Sequence, residues 1–257
     1  MFWDIYMGIL VFLFGIMLGS FYNVCIHRIP LSLSIIRPPS HCESCSHTLA
    51  PLDLIPIFSW VFLGRKCRYC KAPISCRYPL IELLTGALFV LLYLKFQMTW
   101  QFLFYLIFVS ILIIVTFIDI DHRIIPDRFI VIGLILGAFS LLMPLMTSWK
   151  DALFGALVGA GSLLLVDLAG RIFFKKEGMG FGDVKLMGMA GLFLGTQRTL
   201  VSLLIAVWTA AIAGIIVLRV RKEKTDHYIP FGPFLAAGCV FSIFFGNELV
   251  RWYVSFL

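Results

Sequence analysis

Residues 101–121 read QFLFYLIFVSILIIVTFIDID, a run of 18 residues without a charge that ends against Asp119. That length is close to the roughly 20 residues a helix needs to cross a hydrocarbon layer about 30 Å thick. The rest of the chain continues in the same manner. Of its 257 residues 61% are hydrophobic and only 14% charged, and the mean hydropathy is +0.99. Such a composition excludes a soluble globular domain and predicts an all-α polytopic membrane protein. Dividing the apolar runs by length gives about eight transmembrane helices, at 5–26, 80–96, 101–119, 128–147, 151–174, 184–197, 199–219 and 229–254. The first run is expected to be a retained helix and not a signal peptide: no Lys or Arg precedes it, it carries Asp4, and basic residues follow it in place of a small-residue cleavage site.

Positive charge gives the direction. Taking connections alternately, all but four of the 21 Lys and Arg residues fall on one side, from Arg28 through Lys71 and Arg123 to Lys185 and Lys224. The other side holds Lys95, Lys150, Arg198 and Arg251. Cytoplasmic loops carry the excess of Lys and Arg, so both termini are expected outside. The net charge of +7 then reflects topology and attraction to anionic membrane lipids, and calls for no nucleic acid.

The one long polar segment, about 27–79, contains HCESC and, further on, CRYC. Cys42, Cys45, Cys67 and Cys70 thus form two C-x-x-C pairs, a spacing that lets four thiolates converge on one zinc ion. A reducing cytoplasm argues against disulfides. Four thiolates leave no open position for a catalytic water, so the zinc is expected to be structural. Cys25, Cys76 and Cys239 lack such partners and read as small buried hydrophobes.

Ionisable residues inside spans are costly and mark functional candidates. Asp119 lies at the cytoplasmic end of its span, while Asp121 points about 200° away around the helix. Asp183 opens the span that begins after Gly180 and Gly182, in EGMGFGDVKLM at 177–187. Glycines there permit positive φ and close backbone approach to an extended substrate, or simply a tight turn. Asp183 alone would serve as a helix cap. Asp119 and Asp183 together, at the same face of the bilayer, would share one proton, as an aspartic peptidase dyad does. Asp127, beside Pro126, reads as a cap for the next span, and Asp167 as the partner of Arg171 four residues on. Glu82 is either dipole-favoured or part of a polar cavity. The small-xxx-small pairs Gly15/Gly19, Gly133/Gly137, Gly155/Gly159 and Gly191/Gly195 predict close helix packing.

GSFYNVCIHRIP at 19–30, the four-cysteine loop, ISCRYPLIELLTG at 74–86, FIDIDHRIIPD at 117–127, GMGFGDVKL at 178–186 and IPFGPFLAAG at 229–238 together resemble the type IV prepilin leader peptidases, which are also N-methyltransferases. The resemblance covers nearly the whole chain. It implies a bacterial cytoplasmic-membrane enzyme with Asp119 and Asp183 as its catalytic pair and Gly180 and Gly182 near the substrate. The implied substrates are prepilins or pseudopilins, cut after a glycine that ends a short basic leader. It further implies methylation of the new N-terminus by S-adenosylmethionine, for which the chain shows no nucleotide-binding fingerprint. This second activity is assigned to residues 1–97 with the cysteine loop, and the peptidase to 98–257. Two other classes compete: a proton-coupled transporter, which predicts an internal repeat and mid-membrane acids, and a non-enzymatic pilus-assembly scaffold, which needs no acid pair.

Overall fold

The computed structural model describes residues 2–142, 147–174, 180–220 and 229–256. Apart from two isolated bridges in the cysteine loop, the described residues form helices and turns. In chain order the helices are α1 (Phe2–Arg28), the short α2 (Phe58–Phe62), α3 (Arg77–Phe96), α4 (Trp100–His122), α5 (Asp127–Leu142), α6 (Trp149–Phe174), α7 (Phe181–Val220) and α8 (Gly232–Val254). The chain divides into two compact units, Met1–Leu106 and Ile107–Leu257.

Helix boundaries follow local chemistry. Thr99 Oγ1 accepts the Phe102 N–H at the start of α4, and Ser148 Oγ accepts that of Asp151 at the start of α6. Pro126 precedes α5, and Pro233 occupies the first turn of α8, where a missing N–H costs nothing. In the first unit α1 packs along α3. A Cβ on Gly15 would come within 2.7 Å of Gly86 Cα, and one on Gly19 within 2.7 Å of Glu82 Cα, so the two backbones approach as the spacing predicts.

In the second unit α7 is the hub, against α6, α8 and α5. Gly155 and Gly191 abut each other, Gly159 lies on the Met187 carbonyl, and Phe108 stacks on Phe193 at 4.6 Å between ring centres. Outward faces are apolar, with Leu165 and Leu218 each 68% exposed, the reverse of a water-soluble protein.

Six of these helices (α1, α3, α4, α6, α7 and α8) are long and apolar enough to cross a membrane. Among the described residues the expected count of eight is therefore not confirmed. The spans expected at 184–197 and 199–219 run on as one 40-residue element interrupted at Gly195, whose φ of 73° and ψ of 176° are non-helical. Helix α5 has 16 residues. The end of the expected span 128–147, and Lys175, Lys176, Arg221, Lys222 and Lys224 from the charge pattern, lie outside the described residues.

Candidate active site and metal centre

The cysteine loop builds two similar knuckles. In the first, the Cys42 N–H donates to the His47 carbonyl at 3.0 Å and the Ser46 N–H to the Cys42 carbonyl at 2.8 Å. In the second, the Cys67 N–H donates to Ala72 at 2.8 Å and the Lys71 N–H to Cys67 at 3.1 Å. Ser46 and Lys71, each directly after its C-x-x-C, both adopt a positive φ, 55° and 61°.

These turns bring all four sulfurs within 4.8 Å of one another, with Cys42 Sγ 3.8 Å from Cys70 Sγ. A tetrahedral ion with bonds of about 2.3 Å to sulfur needs sulfurs about 3.8 Å apart, so the set fits such a metal. Backbone N–H groups of Cys45 and Ser44 push the Cys42 thiol down to about 6. At Cys70 the Ala72 N–H pulls downward, but desolvation and the neighbouring sulfurs push the thiol up to about 11. Unequal, crowded thiols of this kind suit a divalent cation that would hold all four as thiolates.

Asp53, which sequence patterns do not single out, ties the segment between the knuckles to the second knuckle. It accepts hydrogen bonds from Arg68 Nε at 2.6 Å, Tyr69 Oη at 3.1 Å and the Ala50 N–H at 3.2 Å. Burial resists ionisation, yet these donors hold its carboxyl below the usual carboxylate range. His47 lies against Tyr69, 3.7 Å between ring centres. Of the other cysteines, Cys25 and Cys239 are buried as expected, whereas Cys76 is exposed. It stands at the N-cap of α3, before the helix enters its packed stretch.

In the second unit Asp119 and Asp183 are both buried, 6% and 5% exposed. Asp119 sits in the last turn of α4, and Asp183 is the third residue of α7, its N–H donating to the Gly180 carbonyl at 3.0 Å. The fold brings the two carboxyl groups within electrostatic range of each other. Asp119 Oδ2 also accepts the Gly232 N–H at the start of α8, at 3.0 Å. A Cβ on Gly232 would lie 2.6 Å from that oxygen, so only glycine allows this approach. Asp121 is exposed.

The glycines before Asp183 differ from expectation. Among the described glycines only Gly64 and Gly195 have positive φ, so Gly180 and Gly182 do not use the left-handed region here. Gly182 is needed for space, since a Cβ would meet Ile125 Cβ at 2.9 Å, whereas one on Gly180 would meet only Asp183 Oδ2 at 3.5 Å. Asp127, expected as a cap, pairs with Lys185 at 2.7 Å. Asp167 accepts Arg171 Nε at 2.8 Å, the i, i+4 pair read from the sequence.

An apolar helical bundle holding a buried pair of acids, together with a four-thiol loop, defines a membrane protein with a candidate catalytic centre and a candidate metal centre. Residues 13–96 match the model of the bacterial peptidase A24 N-terminal domain, and residues 106–215 that of the type IV leader peptidase family. A prepilin leader peptidase/N-methyltransferase of Aeromonas hydrophila is 36% identical over 270 residues, covering 96% of this chain and 93% of its own length. The protein of that name from Bacillus subtilis (strain 168) is 36% identical over 247 residues, 96% of this chain and 97% of the relative. One from Myxococcus xanthus (strain DK1622) is 43% identical over 212 residues, 82% of this chain and 63% of the relative. No solved structure matches. The chain belongs to the type IV leader peptidase family.

Proposed function

We propose that this protein is a membrane-embedded prepilin leader peptidase that also N-methylates the new amino terminus it exposes, with Asp119 and Asp183 as its peptidase acids. The observation that carries the peptidase assignment is two buried acids, from α4 and α7, within electrostatic range of each other and inside the stretch matched by the leader peptidase family. The pair holds one proton. Its ionised member takes a proton from water as the water oxygen attacks the scissile carbonyl, and its protonated member hydrogen-bonds the carbonyl oxygen. When the tetrahedral adduct collapses, the amide nitrogen receives a proton and leaves as the new amine. The Gly232 N–H fixes one oxygen of Asp119 and leaves the other for this work. Gly180 and Gly182 are assigned to the substrate's path by their position directly before Asp183.

The substrates are prepilins or pseudopilins with a short basic leader, cut at the cytoplasmic face of a bacterial inner membrane. Both termini of the enzyme lie outside. Methylation is placed on residues 1–97, and the peptidase on 98–257. The methyl donor, S-adenosylmethionine, is a substrate: its methyl carbon passes to the neutral amine, its sulfur leaves as a thioether and the amine gives up a proton. The α-amine titrates near 8 and so is readily available in neutral form. The metal is structural zinc, held by Cys42, Cys45, Cys67 and Cys70, and it fixes the two knuckles relative to each other.

Asp119→Asn and Asp183→Asn, made singly, test the peptidase assignment. Mass measurement of a prepilin incubated with membranes should show no leader loss with either variant while the folded enzyme accumulates normally. Near-normal cleavage by either one overturns it.

A further inference from the structure

Glu82 lies in α3, five residues from its start, which is about 7–8 Å along the helix axis, and is only 6% exposed. A carboxyl group so deep in an apolar span is costly unless something specific engages it. Two groups do. The Ser20 hydroxyl, on α1, lies close enough to interact with it. The backbone N–H of Ile57, in the stretch between the two thiol knuckles, donates to Glu82 Oε2 at 2.7 Å.

Ile57 is itself unusual. Its φ of 63° and ψ of −53°, with the Phe58 N–H donating to the Pro56 carbonyl at 2.6 Å, make a γ-turn of the rare, strained form. A β-branched residue pays most for a positive φ, so this conformation persists only where its surroundings impose it. The turn leads into α2, whose Trp60 Nε1 donates to the Ile74 carbonyl at 3.1 Å, while the Ile74 N–H donates to the Arg65 carbonyl at 2.8 Å. Cys67 follows two residues after Arg65. A continuous set of hydrogen bonds and short chain segments therefore runs from a buried acid in a span to the second thiol knuckle. Phe58, Val61 and Phe62 leave an apolar face exposed on α2, the character of a segment held in the lipid boundary.

We infer that Glu82 is a positioning residue for methyl transfer: its carboxylate fastens the γ-turn at Ile57 to the α1/α3 pair and holds the four-thiol loop at the membrane surface. The amine to be methylated belongs to a product still anchored in lipid by its apolar segment, so the loop must be kept at that level to meet it. Proximity of this kind is worth far more than the single hydrogen bond that enforces it. The inference rests on placing methylation in residues 1–97.

Glu82→Leu removes the acceptor at nearly constant volume, and Glu82→Gln keeps an acceptor oxygen but no charge. Full-length enzyme in detergent is read three ways: amide hydrogen exchange over 55–62, and mass measurement of leader loss and of methyl addition on one prepilin. The expected result for Glu82→Leu is faster exchange at Ile57, methylation lowered at least tenfold and cleavage within threefold of the parent. Glu82→Gln should keep both the protection and the methylation within threefold. Wild-type methylation by Glu82→Leu overturns the inference. So does a tenfold loss of methylation by Glu82→Gln with exchange still slow, since charge rather than attachment would then be what matters. If Glu82→Leu does not accumulate, the Gln variant decides alone by the same criteria. A Cys67→Ser/Cys70→Ser variant separates the two claims: undiminished methylation there removes the placement of methylation on the loop, whereas loss there with normal methylation in Glu82→Leu removes only the role of Glu82.

Discussion

Glu82 and Asp119 use one device in two places. Each is a buried acid in a span, and each accepts a single backbone N–H from a segment distant in sequence, Ile57 at 2.7 Å and Gly232 at 3.0 Å. Their other neighbours differ. Glu82 has the hydroxyl of Ser20, and Asp119 has the carboxyl of Asp183. A hydroxyl offers the first acid no second titrating group, in keeping with the role of a fastener inferred for it. A second carboxyl beside the other acid is what the proposed peptidase chemistry calls for, one group to take a proton from water and one to hydrogen-bond the carbonyl oxygen.

The largest effect expected from disturbing this contrast is the loss of Asp119 or Asp183. Each Asn variant should lower cleavage by about 10²–10⁴-fold, the scale of general acid–base catalysis, as measured by initial rates on a prepilin. Metal removal comes next and should act on the other unit. Cys67→Ser is expected to reduce bound zinc from about one per chain to none by elemental analysis. A full complement of zinc in that variant would show that the four sulfurs are not the ligands.

Gly232→Ala sharpens the comparison from the side of the N–H donor. Its Cβ would press on Asp119 Oδ2, so cleavage should fall roughly tenfold or more, chiefly in kcat, because misplacing a reacting group costs on that scale. An unchanged kcat would mean that this hydrogen bond does not orient Asp119. Asp53→Asn should speed zinc release to a chelator by roughly tenfold, the lower end of the range for groups that orient metal ligands. Smallest of all is Lys185→Ala. The exposed Asp127–Lys185 pair contributes about 1 kcal/mol or less, so cleavage and thermal stability should barely move.

The features legible in the sequence were those encoded locally. Apolar run length marked helices, C-x-x-C spacing marked the thiol cluster, and the four-residue offset of Asp167 and Arg171 marked their ion pair. The packing of Gly15 and Gly19 on α3, and of Gly155 and Gly159 on α7, also followed from spacing. The illegible features depend on contacts between remote residues. Nothing near Asp53 in the chain indicates that Arg68 and Tyr69 will return to it. Gly232 looks like an ordinary helix start until Asp119 arrives from 113 residues away. Asp127 reads as a cap because the helix beginning there is visible, while Lys185, 58 residues on, is not. The break between the spans expected at 184–197 and 199–219 falls at Gly195, a few residues earlier than the run lengths suggest, because contacts from Asp151, remote in sequence, fix it there.

That resumption is arranged by Asp151. Its Oδ1 accepts the Thr196 N–H at 3.0 Å, its Oδ2 accepts the Thr147 hydroxyl at 2.6 Å, and its own carbonyl accepts the Thr196 hydroxyl at 3.2 Å. The portion of α7 after Gly195 thus starts afresh, with its first free amide satisfied by a neighbouring segment. Mechanically, α7 is two rods meeting at a break pinned by Asp151, and not one continuous lever.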